Sequence, residues 1–327
     1  MKILVTGSSG HLGEAIMRTL RQADRNAAGV DILPSPFTSR VGSVADRAFV
    51  SSAMAGVDAV IHAATLHKPH VATHGRQDFV DTNITGTLNL LEEAVAAGVK
   101  AFVFTSTTSV FGRALQPPEG APAAWITEDV TPVPRNIYGV TKAAAEDLCE
   151  LFSHRHGLPV AVLRTSRFFP EEDDSKAVRD GYEDENVKAN EFLFRRVDVA
   201  DATDAHLKAL ERAETIRFGR YIISATTPFE GGDLAELRAH APAVVKRRVP
   251  DYEPVYASRG WTMFPGIDRV YDNARARADL DWRPTFDFAS VIRRLQTGDD
   301  MQSPLARAVG AKGYHATRFA DGPYPTE

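Results

Sequence analysis

Residues 2–20 read KILVTGSSGHLGEAIMRTL, a short apolar run, three glycines spaced three apart, and a stretch with apolar residues every three or four positions. The apolar run predicts a buried strand, and the later spacing predicts a helix. Gly7, Gly10 and Gly13 permit a tight turn, a close approach of backbone N–H groups to a phosphate, and packing of the helix on the sheet. We interpret the stretch as a strand, a phosphate-binding loop and a helix whose N-terminus faces a pyrophosphate.

Further β-branched, mostly apolar runs alternate with stretches of helical spacing along the chain. They cover residues 28–32, 59–62, 101–104, 160–163 and 220–223. Continuous apolar runs are typical of strands that helices cover on both faces. The alternation therefore predicts an α/β fold with a doubly wound parallel sheet.

The texture of the sequence changes after about residue 168, where charged residues and prolines interrupt the periodicity. We expect residues 1–168 to form the sheet domain, with a return of the chain near 190–224. Residues 169–300 are expected to form mainly a smaller C-terminal lobe that binds substrate. Residues 301–327 are polar and are predicted to be loosely ordered or to pack between subunits.

Composition narrows the possible partners and the compartment. The 327 residues include 38 Lys plus Arg and 43 Asp plus Glu, so the net charge of -5 provides no overall basic field for nucleic acid or an anionic membrane. A single cysteine, Cys149, excludes an internal disulfide framework and a multi-cysteine metal site. No signal peptide or run of about 18 apolar residues is present, which predicts a soluble, cytoplasmic protein without membrane, nucleic-acid or metal partners.

An acidic residue, Asp31, ends the second predicted strand. A carboxylate at this point accepts hydrogen bonds from the ribose hydroxyls of an adenosine and repels a 2′-phosphate. The cofactor is therefore predicted to be NAD rather than NADP. Arg40 is the nearest later cation that could favour NADP instead.

A tyrosine and a lysine, Tyr138 and Lys142, stand four residues apart and hence on one face of a predicted helix. A free tyrosine has a pKa near 10, which a neighbouring ammonium group lowers by favouring the phenolate. Such a pair beside a nicotinamide can remove a hydroxyl proton while hydride leaves the same carbon. The hydroxyl run at 105–109 follows the fourth strand and offers hydrogen bonds to the substrate oxygen.

The glycine loop, the hydroxyl run that ends in Val110-Phe111-Gly112, and the Tyr138-x-x-x-Lys142 pair together resemble the extended short-chain dehydrogenase/reductase family. This family includes nucleotide-sugar 4-epimerases and dehydratases of the NAD-dependent epimerase/dehydratase type. The resemblance implies a Rossmann-type sheet, NAD as the cofactor and a homodimer formed by the helices near 83–97 and after Tyr138. For that dimer we expect apolar surface from Leu90, Leu91, Leu148, Leu151 and Phe152.

The resemblance also assigns roles to individual residues. The catalytic residues that it implies are Thr107, Tyr138 and Lys142. The cofactor-binding residues that it implies, apart from the tyrosine and the lysine, are Gly7, Ser9, Gly10, His11, Leu12, Gly13, Asp31, Ile32, Ser43, Val44, Ala63, Ala64, Thr65, His67, Asn83, Thr105 and Thr165. The candidate substrate residues are Lys68, Thr107, Thr108, Arg167, Asn190 and Arg196.

The sequence departs from the family pattern at positions that bear on the substrate. Thr108 and Ser109 stand where dehydratases carry an Asp-Glu pair, so sugar 4,6-dehydration is not expected. Arg167 replaces an asparagine that touches a substrate diphosphate, and a guanidinium could instead clamp a carboxylate or a phosphate. The acidic run at 171–174 is expected to be a solvated loop.

The loop at 65–70, together with His74, offers three histidines and a lysine to the substrate cleft. These groups suit an anionic or polyhydroxylated small molecule. A metal site is the sharper alternative, but ordinary surface histidines are the commoner explanation.

We interpret the whole as an NAD-dependent oxidoreductase or epimerase that transfers a hydride between NAD and a secondary alcohol of a sugar, sugar acid or nucleotide sugar, with Tyr138 as the base. Epimerisation and dehydrogenation remain open, as does the substrate. A non-catalytic NAD-binding redox sensor is the alternative from another class.

Overall fold

A computed structural model describes residues 1–315 and Phe319 of the chain. Its principal sheet has seven strands, and every neighbouring pair of them is parallel. The sheet strands are β1 (Ile3–Thr6), β2 (Ala27–Asp31), β3 (Arg40–Val41), β4 (Ala59–His62), β5 (Ala101–Thr107), β7 (Val160–Thr165) and β8 (Phe218–Ile223). They lie in the order β3-β2-β1-β4-β5-β7-β8. A separate two-stranded sheet pairs β6 (Ala124–Ile126) with β9 (Arg269–Tyr271).

The helices in the described part of the chain connect these strands and build the second lobe. They are α1 (His11–Gln22), α2 (Arg47–Ala53), α3 (Arg76–Phe79), α4 (Gly86–Ala97), α5 (Ile137–His156), α6 (Lys176–Gly181), α7 (Asp184–Glu191), α8 (Val199–Ile216), α9 (Leu234–Arg248), α10 (Tyr252–Arg259), α11 (Ala274–Asp279), α12 (Phe288–Thr297) and α13 (Pro304–Val309). A π-helical turn at Val80–Thr85 precedes α4, and 3-10 turns occupy Lys68–Ala72, Thr108–Leu115 and Gly231–Asp233.

Both faces of the principal sheet are covered by helices. One core packs α1 and α8 against strand residues such as Ile3, Val5 and Ile61, and the other packs α4 and α5 against Leu4 and Val60. Adjacent strand residues therefore enter opposite cores, which is why their runs are continuously apolar. The prediction of a doubly wound α/β sheet is confirmed, and β8 shows where the chain returns to the sheet after residue 190.

A second apolar core builds the smaller lobe. It gathers side chains from α7, α9, α10, α12 and the segment around Trp261, including Phe288 and Leu237, which are both fully buried. The strands β6 and β9 lie between this core and a small cluster around Phe111 and Tyr271. The lobe thus meets the sheet near the carboxyl end of β5, where parallel sheets bind ligands.

The structure corrects the expectation about the acidic run and describes the first part of the C-terminal tail. The acidic run is not a solvated loop: Asp173 is buried, and Glu171 is largely enclosed, because both face basic groups inside the protein. The polar tail, where it is described, packs on its own chain, since α13 lies against α1 and α8. Residues 316–318 and 320–327 lie outside the described part, so the prediction for them stays a prediction.

The surface expected to form a dimer is only partly apolar. Leu90 and Leu91 are buried in the core below α4, and Phe152 is buried on α5. The side chains of Leu90, Leu91 and Phe152 therefore pack inside this chain and offer little surface to a partner subunit. Leu151 on α5 is 49% exposed and remains available at the surface. Within the residues described, no helix is long and apolar enough to cross a bilayer.

Candidate active site

A cleft of about 990 Å³ runs along the carboxyl ends of the sheet strands, between the sheet and the lobe. Its wall begins at the glycine loop after β1 and passes the ends of β2, β4 and β5. It then reaches the lobe through β9 and the segment after β7. A space of this size suits a dinucleotide and a substrate held together.

The glycine loop is shaped as a phosphate cradle. Gly7 has a φ of +73°, which favours glycine, and a Cβ there would come within 2.7 Å of the Ala64 nitrogen. A Cβ on Gly13 would lie 1.9 Å from the Gly7 carbonyl oxygen, so α1 can pack this closely only without a side chain. At Gly10 a Cβ would meet just that carbonyl, at 3.3 Å, and the rest of its space opens to the cleft. The loop therefore fits a pyrophosphate at the helix N-terminus.

Asp31 is held rigidly at the end of β2. Its carboxylate accepts hydrogen bonds from the backbone N–H groups of Ser9, at 3.0 Å, and Leu33, at 2.9 Å. Ile32 lines the cleft beside it and is 64% exposed, an apolar surface suited to an adenine ring. Arg40 points elsewhere, since it donates to the Ser52 hydroxyl at 2.7 Å and stacks on Phe49. The expected cation for a 2′-phosphate is thus engaged outside the cleft lining.

A buried histidine at the end of β4, His62, connects β4 to β1. Thr87 donates to the Asn83 carbonyl, so its oxygen accepts from Nε2 of His62 at 3.0 Å, and Nδ1 of His62 then accepts from the Thr6 hydroxyl at 2.8 Å. The Thr6 oxygen in turn accepts from the backbone of Ala64 at 3.1 Å. Burial and then the charge of Lys142 lower the pKa of His62 well below its usual value, so this chain of hydrogen bonds stays neutral.

Asn83 organises the site from behind the cleft wall. Its side-chain oxygen accepts from the Thr65 hydroxyl and the Leu66 N–H, both at 2.9 Å. Its amide nitrogen donates to the Leu66 carbonyl at 2.9 Å and to the Thr141 hydroxyl at 3.0 Å. The asparagine therefore ties the loop after β4 to α5. Because it is buried and does not line the cleft, the structure corrects the expectation that it contacts the cofactor.

Tyr138 and Thr107 face each other across the cleft wall at the end of β5. Both are 8% exposed, and Thr107 is held by the Ser109 N–H, which donates to its hydroxyl at 3.1 Å. Burial raises the pKa of Tyr138 to about 12, against the smaller lowering from its hydrogen bond with Thr107. The phenol therefore keeps its proton in this structure, contrary to the expectation that its partner lysine lowers its pKa.

Lys142 lies one turn along α5, below the cleft rather than in its wall. Its ammonium donates to the Thr105 carbonyl at 2.6 Å and sits 4.0 Å from the centre of the Phe104 ring. Burial lowers the pKa of Lys142 to about 7, so its charge is partial near neutral pH. The four-residue spacing put both residues on one helix face as expected. The lysine side chain continues towards the sheet, which places its nitrogen at Thr105 instead of in the lining.

Thr105 is positioned by a residue that sequence reasoning missed. His206 on α8 donates its Nδ1–H to the Ala202 carbonyl at 2.7 Å, so its Nε2 accepts from the Thr105 hydroxyl at 2.9 Å. Burial lowers the pKa of His206 to about 4, which keeps the ring neutral. No local motif marks this histidine, because its partner lies 101 residues away along the chain.

Arg167 lines the cleft, but carboxylates and carbonyls of its own chain surround it. Its guanidinium donates to the carbonyls of Glu171 and Glu172 at 3.0 and 2.8 Å, and Asp173 and Glu191 lie within 4.0 Å. The charge that was expected to clamp a substrate is therefore neutralised internally. Burial would raise the pKa of Glu191, yet the surrounding arginines lower it on balance to about 2.

Two candidate substrate residues lie away from the cleft wall. Asn190 is fully buried in the lobe, where it donates to the Thr262 carbonyl and accepts from the Tyr256 hydroxyl. Arg196 is 6% exposed and pairs with Glu191 at 2.6 Å. The structure corrects both expectations: these side chains stabilise the lobe because polar groups in its core already satisfy them.

A ring cluster closes the cleft near Tyr138 and includes a residue from the C-terminal segment. Tyr314 stacks edge-on against His67, with ring centres 4.6 Å apart, and lies 5.7 Å from Phe169. Burial and neighbouring positive groups lower the pKa of His67 well below its usual value. The described residues hold no group of three or more His, Cys, Asp or Glu side chains able to bind a metal ion.

The C-terminal segment is fastened beside the glycine loop. The backbone N–H groups of Lys312 and Gly313 donate to the Glu171 carboxylate at 3.0 and 3.1 Å, and the same oxygen lies 2.9 Å from Nε2 of His11. The Lys312 ammonium pairs with Glu14 on α1. Sequence reasoning treated this segment as a polar tail, since its partners lie far away along the chain.

The remaining predicted site residues converge on the same wall. Those that line the cleft are Gly7, Ser9, Gly10, His11, Leu12, Gly13, Asp31, Ile32, Ser43, Val44, Ala63, Ala64, Thr65, His67, Lys68, Thr105, Thr107, Thr108, Tyr138, Thr165 and Arg167. Their individual roles in binding and catalysis stay predictions.

The doubly wound sheet, the glycine cradle and the Tyr138 wall define an α/β protein whose cleft has the size and the loop geometry that suit a dinucleotide. The profile of the NAD dependent epimerase/dehydratase family matches residues 3–223, and the chain belongs to that family. The resemblance to extended short-chain dehydrogenases/reductases is thereby confirmed, and so is NAD as the cofactor of this enzyme family.

The known relatives include proteins named as epimerases and a protein named as a dehydratase. A dTDP-glucose 4,6-dehydratase of Streptomyces antibioticus is 30% identical over 329 residues, which cover 90% of this chain and 91% of the relative. An uncharacterised UDP-glucose epimerase of Bacillus subtilis (strain 168) is 30% identical over 185 residues, covering 50% and 55% of the two chains. The chain spans about half the length of several curated relatives that it matches.

Solved structures share the fold. A short-chain dehydrogenase/reductase superfamily protein from Agrobacterium tumefaciens with bound NAD superposes with a TM-score of 0.63 at 23% identity, covering 91% of this chain and 98% of that one. At this identity the likeness concerns the fold alone.

Proposed function

We propose that this protein uses NAD to oxidise a secondary alcohol of a sugar, sugar acid or nucleotide sugar, as an epimerase or a dehydrogenase. The observation that carries the proposal is the convergence of Tyr138 and Thr107 on one wall of the cleft that begins at the glycine cradle. A fold alone does not determine function, but this pair of hydroxyl groups at the end of β5 has a specific use.

The chain's own groups divide the work of the reaction. Tyr138 exchanges the proton of the substrate hydroxyl at its phenolic oxygen, and Thr107 hydrogen-bonds the same substrate oxygen. When bound, NAD supplies the hydride-accepting ring and, in its oxidised form, a positive charge. Lys142 holds Thr105 from below and is partly charged near neutral pH, because burial lowers its pKa to about 7.

The protonation state of Tyr138 decides whether it can donate or accept the proton of the substrate. With a pKa of about 12, the phenol is a proton donor, the state needed when a ketone is reduced. To act as a base it needs a nearby positive charge, which lowers the pKa of a phenol. Both states are required in an epimerase, since the hydroxyl is oxidised and then re-formed.

Elimination of water is not part of the proposal, although one relative is named as a dehydratase. Thr108 and Ser109 line the cleft beside Thr107 and supply no carboxyl group to protonate a leaving hydroxyl. Within the described residues, the cleft lining contains three carboxylates, and each already has a partner: Asp174 is paired with Lys68, while Asp31 and Asp78 accept hydrogen bonds from backbone N–H groups. The site therefore favours hydride transfer without dehydration.

The test is turnover of a panel of sugars, sugar acids and nucleotide sugars by the NAD-loaded protein, followed by NADH absorbance and by product stereochemistry. Tyr138→Phe is expected to lower turnover by about 1000-fold while NAD binding is unchanged, because only the proton-transfer group is lost. Tyr182→Phe is the matched control, since Tyr182 packs on Phe264 outside the cleft lining.

The outcomes separate the alternatives. Accumulated NADH indicates a dehydrogenase, and inverted product without NADH indicates an epimerase. Full activity of the Tyr138→Phe variant contradicts the proposed role of the tyrosine. Tight NAD binding without turnover of any hydroxylated compound, together with a specific protein partner, favours the redox-sensing alternative.

A further inference from the structure

The basic side chains that line the cleft differ in whether a carboxylate already neutralises them. Those side chains are Lys68, Arg135, Arg167, Arg195, Arg269 and Lys312. Asp174 pairs with Lys68, Glu14 pairs with Lys312, and the lobe carboxylates Asp173 and Glu191 surround Arg167 and Arg195. An anion entering the cleft would have to compete with these internal partners.

Arg269 differs from the other arginines of the cleft. It makes none of the ion pairs found among the described residues, and its Nε is buried without a hydrogen-bond partner there. The adjacent carboxylate, Asp268, is paired with Arg238 instead. Arg135, the remaining basic group, is exposed and donates to the Gln116 side chain at 3.0 Å. A buried donor on a cation carries a free-energy cost unless a partner meets it.

The position of Arg269 places it on the substrate side of the cleft. It begins β9, two residues before Tyr271, so the two side chains share a face of that strand, and both line the cleft. Tyr271 stacks on Phe111 with ring centres 6.4 Å apart, and Phe111 belongs to the turn that follows Thr107. The guanidinium itself lies 5.5 Å from the Phe194 ring, which restricts its orientation. The glycine cradle is built by other elements, after β1.

We propose that Arg269 forms an anion subsite that recognises a carboxylate or phosphate group of the substrate. The proposal rests on the oxidoreductase function proposed above and adds the class of substrate, a negatively charged sugar derivative. A guanidinium presents a planar fork of N–H donors that matches the oxygens of either group, and partial burial strengthens such a contact. Sugar acids, sugar phosphates and nucleotide sugars all supply the required anion.

The experiment measures binding separately from turnover. The NAD-loaded protein is titrated by calorimetry with glucuronate, glucose 6-phosphate, UDP-glucose and UDP-glucuronate, and with glucose as the uncharged reference. Arg269→Gln is expected to weaken binding of the anionic ligand preferred by the wild type by about 30-fold, because a charged hydrogen-bonding partner is lost. Arg269→Lys keeps the positive charge but loses the planar fork of N–H donors, so its affinity for the same ligand is expected to lie between those of the wild type and Arg269→Gln.

The controls assign any loss to the subsite. Arg283→Gln removes the same charge from an exposed position outside the cleft lining and is expected to bind all ligands like the wild type. The affinity for NAD and the thermal unfolding midpoint of Arg269→Gln are expected to stay unchanged. Comparing glucuronate with glucose 6-phosphate shows whether the anion is a carboxylate or a phosphate, and the UDP pair shows whether it belongs to the nucleotide or to the sugar.

The proposal is overturned if no anionic ligand of the panel binds, if Arg269→Gln binds them as the wild type does, or if the substitution weakens NAD binding instead. Failure of the proposed function has a different signature. In that case the anionic ligand binds in an Arg269-dependent way, but Tyr138→Phe has no effect on turnover or no turnover occurs at all.

Discussion

A buried neutral histidine makes the stability of this protein depend on pH in a way that one substitution can isolate. His206 joins α8 to the end of β5 through the Ala202 carbonyl and the Thr105 hydroxyl. Burial lowers its pKa from 6.5 to about 4. We consider the replacement His206→Gln, whose side-chain oxygen can still accept from Thr105 but cannot take up a proton.

The sign and the size of the pH effect on folding stability follow from the difference in proton binding between the folded and the unfolded chain. Above about pH 7 the ring is neutral in both the folded and the unfolded chain, so its titration contributes nothing to stability. As the pH falls below 6.5 the unfolded chain takes up a proton that the folded protein refuses down to about pH 4, so folding stability is lost through this window. The loss from His206 between about pH 6.5 and about pH 4.5 is about 2 kcal/mol.

The assay is urea unfolding, followed by circular dichroism at several pH values across this window. At pH about 7, His206→Gln is expected to be less stable by about 1 kcal/mol, because the Ala202 carbonyl loses its donor. Its loss of stability on acidification is expected to be smaller than that of the wild type by about 2 kcal/mol. The remaining pH dependence comes from other groups, including His70, whose pKa is lowered to about 4 by burial and then by His74.

An exposed histidine supplies the matched control. His240→Gln changes the same residue type on the surface of α9 and is expected to leave the pH dependence of the wild type intact. If His206→Gln shows the same acid-induced loss as the wild type, His206 does not stay neutral in the folded protein and the reasoning is refuted.

Two further predictions concern the cofactor cradle and the subunit surface. Gly13→Ala is expected to lose about 2 kcal/mol of stability and to bind NAD poorly, because its Cβ would fall 1.9 Å from the Gly7 oxygen. Calorimetry with NAD measures this loss against the control Gly181→Ala, whose Cβ would meet nothing within 4 Å. Normal NAD binding by Gly13→Ala would contradict the proposed role of the glycine cradle. We also expect a dimer through the exposed face of α5, where Val140 and Leu151 are each 49% exposed and eleven residues apart on one helix face. Light scattering at micromolar concentration tests it: Leu151→Lys should give a monomer mass, and a monomeric wild type would contradict the expectation.

The sequence predicts the sheet and the cofactor loop well because their signals are local. A continuous apolar run before Gly7 and apolar residues at helical spacing after Gly13 are sufficient to identify a strand, a turn and a helix. The position of Asp31 can be predicted from the same strand–loop–helix unit, because Asp31 ends the strand that comes next in the chain. These features depend on neighbours in the chain, and the structure places them in one wall of the cleft.

The charges of the substrate side could not be predicted in the same way. The sequence indicates that Arg167 is near the cleft, but its neutralisation depends on Asp173 and Glu191, which only the folded lobe brings within 4.0 Å. The acidic run looked solvated for the same reason. Lys142 shows the corresponding limit for the catalytic pair: helix spacing fixes the face on which it lies, whereas the sheet carbonyl that receives its ammonium is 37 residues away.

The attachment of the C-terminal segment to Glu171 makes the rim of the glycine cradle depend on residues that lie far apart in the chain. His11 and Lys312 meet at one carboxylate, although 301 residues of chain separate them. Local unfolding of α13 and residues 310–313 would break that junction and expose the rim of the glycine cradle, with the sheet still intact. An opening of this part of the cleft therefore requires only the release of α13 and residues 310–313 from Glu171, and no unfolding of the sheet.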